Sequence, residues 1–153
     1  MRSAKHQSSA QGGAAAVEFA FVFPVLFLLI YGVIVYSYIF VLQESINYAA
    51  QQAAEAAVAV EPRSAGYDAA ATAQARAMAS RVLQWLPQSQ QLRVLGEGGE
   101  KVEVTFNNAG DSDVVQVQLR FALPGQFTVM TLPIVGEVPY LPPQLVAQAV
   151  ARV

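Results

Sequence analysis

From Phe19 to Leu42 the chain runs for 24 residues without one side chain that is charged at neutral pH. No other feature constrains the fold as strongly. At 1.5 Å rise per residue such a run makes a helix about 36 Å long, enough to cross a hydrocarbon layer about 30 Å thick with some tilt. A cleaved secretory signal has an apolar core of about 7 to 15 residues, much shorter than this one. The segment therefore reads as a membrane span, and the 111 residues after it are far more polar. Ahead of Glu18 the only charges besides an ionised His6 are Arg2 and Lys5. That bias keeps the N-terminus in the cytoplasm and sends everything beyond Leu42 across the membrane.

The inner edge of the span holds a carboxylate, Glu18, behind the glycine pair Gly12-Gly13. A charged group at the middle of a bilayer costs about 2.5 to 3.5 kcal/mol on insertion scales, and less near the edge. Glu18 either rests at headgroup level, helped by the positive end of the helix dipole, or has a partner. Pro24, six residues on, removes one helical hydrogen bond and clashes with the carbonyl of Ala20, which predicts a kink. Gly32 has no glycine four residues away, so no close-packing dimer motif is present. Tyr31, Tyr36 and Tyr38 suit an aromatic belt towards the outer end.

The stretch "G-AAAVEFAFVFP" resembles the start of the TadE-like pseudopilins, minor pilins of the tight-adherence (Tad, or Flp) branch of type IV pili. In that family a leader ending in glycine is removed by a prepilin peptidase, and a glutamate stands fifth in the mature chain. The resemblance implies a leader over residues 1–13, cut between Gly13 and Ala14, with Glu18 as the fifth mature residue, Phe19 beside it and Pro24 beyond. It also implies a single-pass protein of the bacterial inner membrane with a periplasmic C-terminal domain. Its partners would be the peptidase, other Tad pilins and pseudopilins and the inner-membrane assembly platform, in the service of adherence and biofilm formation. Cleavage would expose an α-amino group at Ala14 a little over one turn from Glu18. In a growing filament the amine of one subunit could meet the carboxylate of its neighbour, a pair in which either charge left alone is costly. Loss of the leader removes two cations and no acid, moving the formal charge from −2 to −4. Major pilins of this branch carry almost no exported domain, so this chain is not of that type.

The helical pattern continues past the membrane. "QESINYAAQQAAEAAVAVE" has neither proline nor glycine, and Ile46, Ala49, Ala50, Ala53, Ala57 and Val60 form one apolar stripe, best explained by packing on the protein's own domain. The long helix is expected over residues 14–62, about 72 Å from Ala14 to Glu61 if continuous, and an exported α+β domain over 63–153. After the turn "PRSAGY" a second helix is expected from Asp68 to Leu86, turning Ala70, Ala73, Ala77, Leu83 and Leu86 inward, with Trp85 as a core or edge anchor.

The period then changes to two. "LRVLG" reads as a short strand and "EGGE" as a turn. "KVEVTFN" and "VVQVQLRFAL" alternate as the two strands of a half-wet hairpin around the turn "NAGDSD". Residues 124–143 contain five prolines and two glycines and read as an irregular excursion. "QLVAQAVARV" fits a helix or an edge strand by periodicity; the family resemblance implies a strand paired with the preceding long one. The expected architecture is α+β and pilin-like: a long transmembrane helix continuing as a stalk, a second helix and a small antiparallel sheet of three to four strands.

No catalytic constellation is visible. There is no cysteine, and His6 lies in the expected leader. "GEGGE" lacks the lysine and the helix of a phosphate loop. "DSD", Asp111 to Asp113, lacks the other ligands of a calcium loop. No cofactor or metal is expected, the near-neutral charge offers no patch for nucleic acid, and an enzyme has no support. The competing reading is a signal-anchored periplasmic scaffold or binding module that is neither processed nor polymerised.

Overall fold

A computed structural model describes residues 10–61, 66–107, 114–123, 125, 127–132 and 136–152. The expected leader up to residue 9, most of the "PRSAGY" break and the "NAGDSD" turn lie outside the described residues. The chain divides into two compact units, Met1–Ser37 and Tyr38–Val153.

Helix α1 spans Ala10–Val58 and contains Pro24. It begins ahead of Gly12 and Gly13, although each glycine in a helix interior costs about 1 kcal/mol relative to alanine. In the first unit the large apolar side chains from Val17 to Ile34 are exposed on nearly every face of the helix. A helix that is apolar all round needs an apolar surrounding, and α1 is long and apolar enough to cross a membrane.

The second unit starts on the same helix. From Tyr38 onward α1 buries Ile39, Leu42, Ile46, Ala49, Ala50, Ala53 and Ala57, so the stripe expected to pack on the protein's own domain does so. Val60 is half-buried beyond the helix end. Gln43, on α1, donates from Nε2 to the carbonyl of Val146 at 3.1 Å.

Helix α2, Tyr67–Val82, runs into a 3-10 turn, Leu83–Trp85. Its buried alanines are Ala71, Ala75 and Ala79, not Ala70, Ala73 and Ala77, which are exposed. Alanine occurs at every second position from 69 to 79 apart from Ala70, so composition marks no single face. The buried set is the one in phase, at steps of four, with the large residue Leu83. Trp85 is exposed rather than part of the core.

The strand expected at "LRVLG" is instead the end of a third helix, α3, Gln88–Leu95. Pro87 precedes it with an extended backbone, and Gly96 closes it at φ 75°, its N–H bonded to the Leu92 carbonyl at 3.1 Å. Proline before the first turn and glycine past the last are helix start and stop signals, and they outweigh three residues of alternation.

A turn at Glu97–Gly99 follows, at the expected "EGGE". Gly99 is buried with φ +83°, and a β-carbon there would lie 3.1 Å from Cβ of Arg76. Gly99→Ala is expected to cost about 1–2 kcal/mol through the left-handed backbone alone. Urea unfolding of the two proteins in the same detergent measures the difference, and equal midpoints would remove this account of the turn.

The sheet has the order β1-β2-β5, with Glu103–Asn107, Val114–Ala122 and Gln144–Arg152, all antiparallel. The long strand β2 is central. Its Val115, Val117, Leu119 and Phe121 are buried, matched by Leu145, Ala147 and Ala149 on β5. The two expected strands of the half-wet hairpin are borne out, with β1 and β2 paired antiparallel. The C-terminal segment is a strand that pairs with β2 over nine residues, from Val114 with Arg152 to Ala122 with Gln144. Helix α3 packs on β2, and α2 meets β1 through the ring contact Tyr67–Phe106 at 5.8 Å. On the wet face Arg120 pairs with Glu103 at 3.1 Å, an exposed bridge worth about 0–1 kcal/mol. The proline-rich excursion contributes a two-stranded ribbon, β3 Met130–Leu132 with β4 Gly136–Val138.

Candidate functional site: the N-terminal segment of α1

Every residue singled out near the N-terminus falls on one stretch of α1. Gly13, Ala14, Glu18 and Phe19 are exposed and helical, and nothing lies within 4 Å of where a β-carbon on Gly13 would stand. Ala14 and Glu18 are four residues apart, so they share a face and are separated by about 6 Å along the axis. Side chains on a helix lean towards its N-terminus, which aims the Glu18 carboxylate back over the turn that begins at Ala14. Among the described residues no cation pairs with Glu18.

Pro24 lies inside the helix, and α1 continues on both sides of it. With no N–H to donate, Pro24 leaves the Ala20 carbonyl without its usual partner four residues on.

One feature of this segment escaped the sequence reading. Phe19, Phe23, Phe27 and Tyr31 recur at steps of four and form a continuous ladder of rings, with centroids 5.3, 6.2 and 6.3 Å apart. Rings at these separations attract one another beyond simple burial. The signal was the spacing itself, masked by the aromatic and aliphatic residues filling the positions between. Phe19 is thus the first rung of a ladder as well as the neighbour of Glu18.

The folded unit offers no comparable chemistry. Among the described residues no group of three or more His, Cys, Asp or Glu side chains could hold a metal. A depression of about 390 Å³ on the sheet side is bordered by Arg93, Glu100, Lys101, Glu103 and Arg120, charges of both signs with no nucleophile among them.

The architecture is α+β: an apolar, membrane-length N-terminal helix, further helices and a small antiparallel sheet. Residues 13–55 match the family model described as TadE-like protein. Over that segment the chain is similar to TadE-like proteins of the Tad pilus system, and the resemblance carried by "G-AAAVEFAFVFP" is borne out there. TadE-like proteins are structural rather than enzymatic, and the other components of the pilus are their natural partners. No curated protein and no solved structure matches the chain significantly.

Proposed function

We propose that this chain is a minor pseudopilin, cut by a prepilin peptidase between Gly13 and Ala14 and then taking part in assembly of a Tad pilus. Residues 1–13 are the leader, 14–62 the long helix with its membrane span at about 19–42, and 63–153 the exported domain. The N-terminus faces the cytoplasm and the domain the periplasm of a bacterial inner membrane. After processing the subunit passes through the inner-membrane assembly platform to join other Tad pilins, for adherence and biofilm formation.

The observation that carries this reading is a coincidence of position. The family match begins at Gly13, and the carboxylate expected to read the new amine stands on the same helical face as Ala14, one turn away. Glu18 is then a register device, matched with the amine of a neighbouring subunit and unmatched in any other stagger. Pro24 supplies a weak point at which the first turns of the helix bend as subunits pack.

The mature N-terminus tests the reading. Mass spectrometry of the protein from cells with the peptidase should find a chain starting at Ala14. Gly13→Val should leave the full-length chain, because a branched side chain replaces the bare backbone at the scissile bond. An intact N-terminus in the unaltered protein would leave the unprocessed scaffold reading in its place.

A further inference from the structure

Three exposed groups of the folded unit find no counterpart among its described residues. The first is Trp85, the sole tryptophan, 51% exposed in the 3-10 turn after α2. Among the described residues its ring meets no other ring and its side chain makes no hydrogen bond. An indole joins a large apolar area to one N–H donor, and tryptophans anchor contacts between proteins more often than their abundance explains. The second is Arg81, exposed about one helical turn earlier and the nearest charge to Trp85 in the chain. The third is Glu137, exposed on β4 and the only charged residue between Arg120 and Arg152. Among the described residues neither Arg81 nor Glu137 has an ion-pair partner.

Glu137 stands at the border of an open, mostly apolar pocket of about 250 Å³, lined by Leu123, Phe127, Val129, Leu141 and Pro143 among others. Separate contacts hold its walls. The Leu123 N–H bonds the Pro143 carbonyl at 3.3 Å, which ties one wall to the end of β2. The Phe127 ring meets Tyr38 at 5.8 Å, and Tyr38 in turn donates to Oε1 of Gln90 at 2.9 Å. The β3–β4 pairing sets Glu137 opposite Thr131. A pocket that is apolar, formed in advance and marked by a single polar group has the character of a binding site. An engineered cavity of about 150 Å³ holds a benzene ring, so this one has room for the larger indole. Trp85 does not border the pocket of its own chain.

We propose that the pocket receives Trp85 of a second copy of this chain, with Arg81 of that copy set beside Glu137. The occupant is a second copy because the chain itself carries the complement: a large ring accompanied by a cation, and an apolar pocket accompanied by an anion. The ring supplies the anchor, and the charge pair at the rim selects the partner's orientation. Knob and pocket are different surfaces, so the contact is heterologous. Repeated, it joins copies in series rather than closing on two. The inference rests on the assembly role given under Proposed function and gives the exported domains a contact of their own, apart from the pairing of Glu18 with Ala14.

The chain has no cysteine, so thiols can be placed one at a time. Full-length protein is purified in detergent from cells without the peptidase, as two differently tagged forms, Arg81→Cys and Glu137→Cys, and treated with a short bismaleimide. The mixture should yield a dimer bearing both tags, and either form alone should yield little, because a heterologous contact does not bring like positions together. Trp85→Ala in the Arg81→Cys form should lower the yield at least about tenfold, as for loss of an anchoring tryptophan; the ring is exposed, so its truncation opens no cavity in the core. In the thiol-free protein Trp85 emission should shift to the blue as concentration rises. Glu137→Lys should abolish that shift, and Arg81→Glu added to it should restore the shift. Equal yields from like and mixed pairs, a yield unmoved by Trp85→Ala, or no dimer from the mixture overturns the proposal. The leader is uncut throughout and neither thiol lies on α1, so failure of this contact is read separately from failure of processing at Gly13.

Discussion

Glu18→Ala is expected to insert and to be cut after Gly13 like the unaltered chain, yet to fall at least about tenfold in recovery from sheared filaments. An uncompensated charge in a buried pair costs about 3–5 kcal/mol, and each 1.4 kcal/mol is a factor of ten. The amine of Ala14 would be the charge left alone. The exposed position of Glu18 on a regular helix means that its loss disturbs no packing within the chain, so a defect would belong to assembly rather than to folding. Glu18→Gln separates the two parts of the argument: it keeps the shape and a hydrogen-bond acceptor and loses the charge. It should assemble little better than the alanine variant. Immunoblots of filament and membrane fractions measure both, and wild-type recovery of either variant would end the register argument.

Phe121→Ala carries the largest expected cost to the folded unit. Phe121 is fully buried on the central strand, which is paired on both sides along most of its length. Truncation of a phenylalanine in such a place costs about 3–5 kcal/mol, because the cavity left behind closes only in part. Domains of this size are stable by about 5–15 kcal/mol in total, so much of the reserve would go. Denaturant unfolding followed by circular dichroism in detergent should show the sheet-containing unit melting early while a helical signal from the membrane segment persists. Ala122→Ser, one residue on and facing water, should change stability by less than about 0.5 kcal/mol. A Phe121→Ala midpoint equal to that control would mean that β2 does not carry the core.

The elements legible in the sequence were those with a long, one-sided pattern. The apolar run of α1 permits one reading, and so does the alternation from Val115 to Phe121, where four inward residues are large and the partners between them are polar or small. Legibility failed where pattern and punctuation disagreed. At Leu92-Arg93-Val94-Leu95 the alternation is too short to decide, and Pro87 and Gly96 frame a helix that buries Val94 and Leu95 together. In α2 the trouble was redundancy, since a helix studded with alanines presents several equal faces and only its tertiary neighbours choose one. Trp85, expected as a core or edge anchor because of its large apolar ring, is left exposed by the fold, which excludes the core half of that expectation. At the N-terminal site Gly13, Ala14, Glu18, Phe19 and Pro24 are expectations of the motif, and the fold places all five on one stretch of α1. The ring ladder over Phe23, Phe27 and Tyr31 escaped the motif, because aromatic residues in an apolar run raise no contrast.

The nine-residue seam between β5 and β2 has a consequence for biogenesis. Synthesis delivers β1 and β2 early and β5 last, and until Arg152 has left the ribosome the central strand lacks one of its two neighbours. Throughout that interval Val117, Leu119 and Phe121 lie along an open, sticky border, the kind of surface that holding chaperones recognise and that stray strands invade. The delay between the emergence of β2 and that of β5 is therefore an interval in which a newly made chain is open to aggregation.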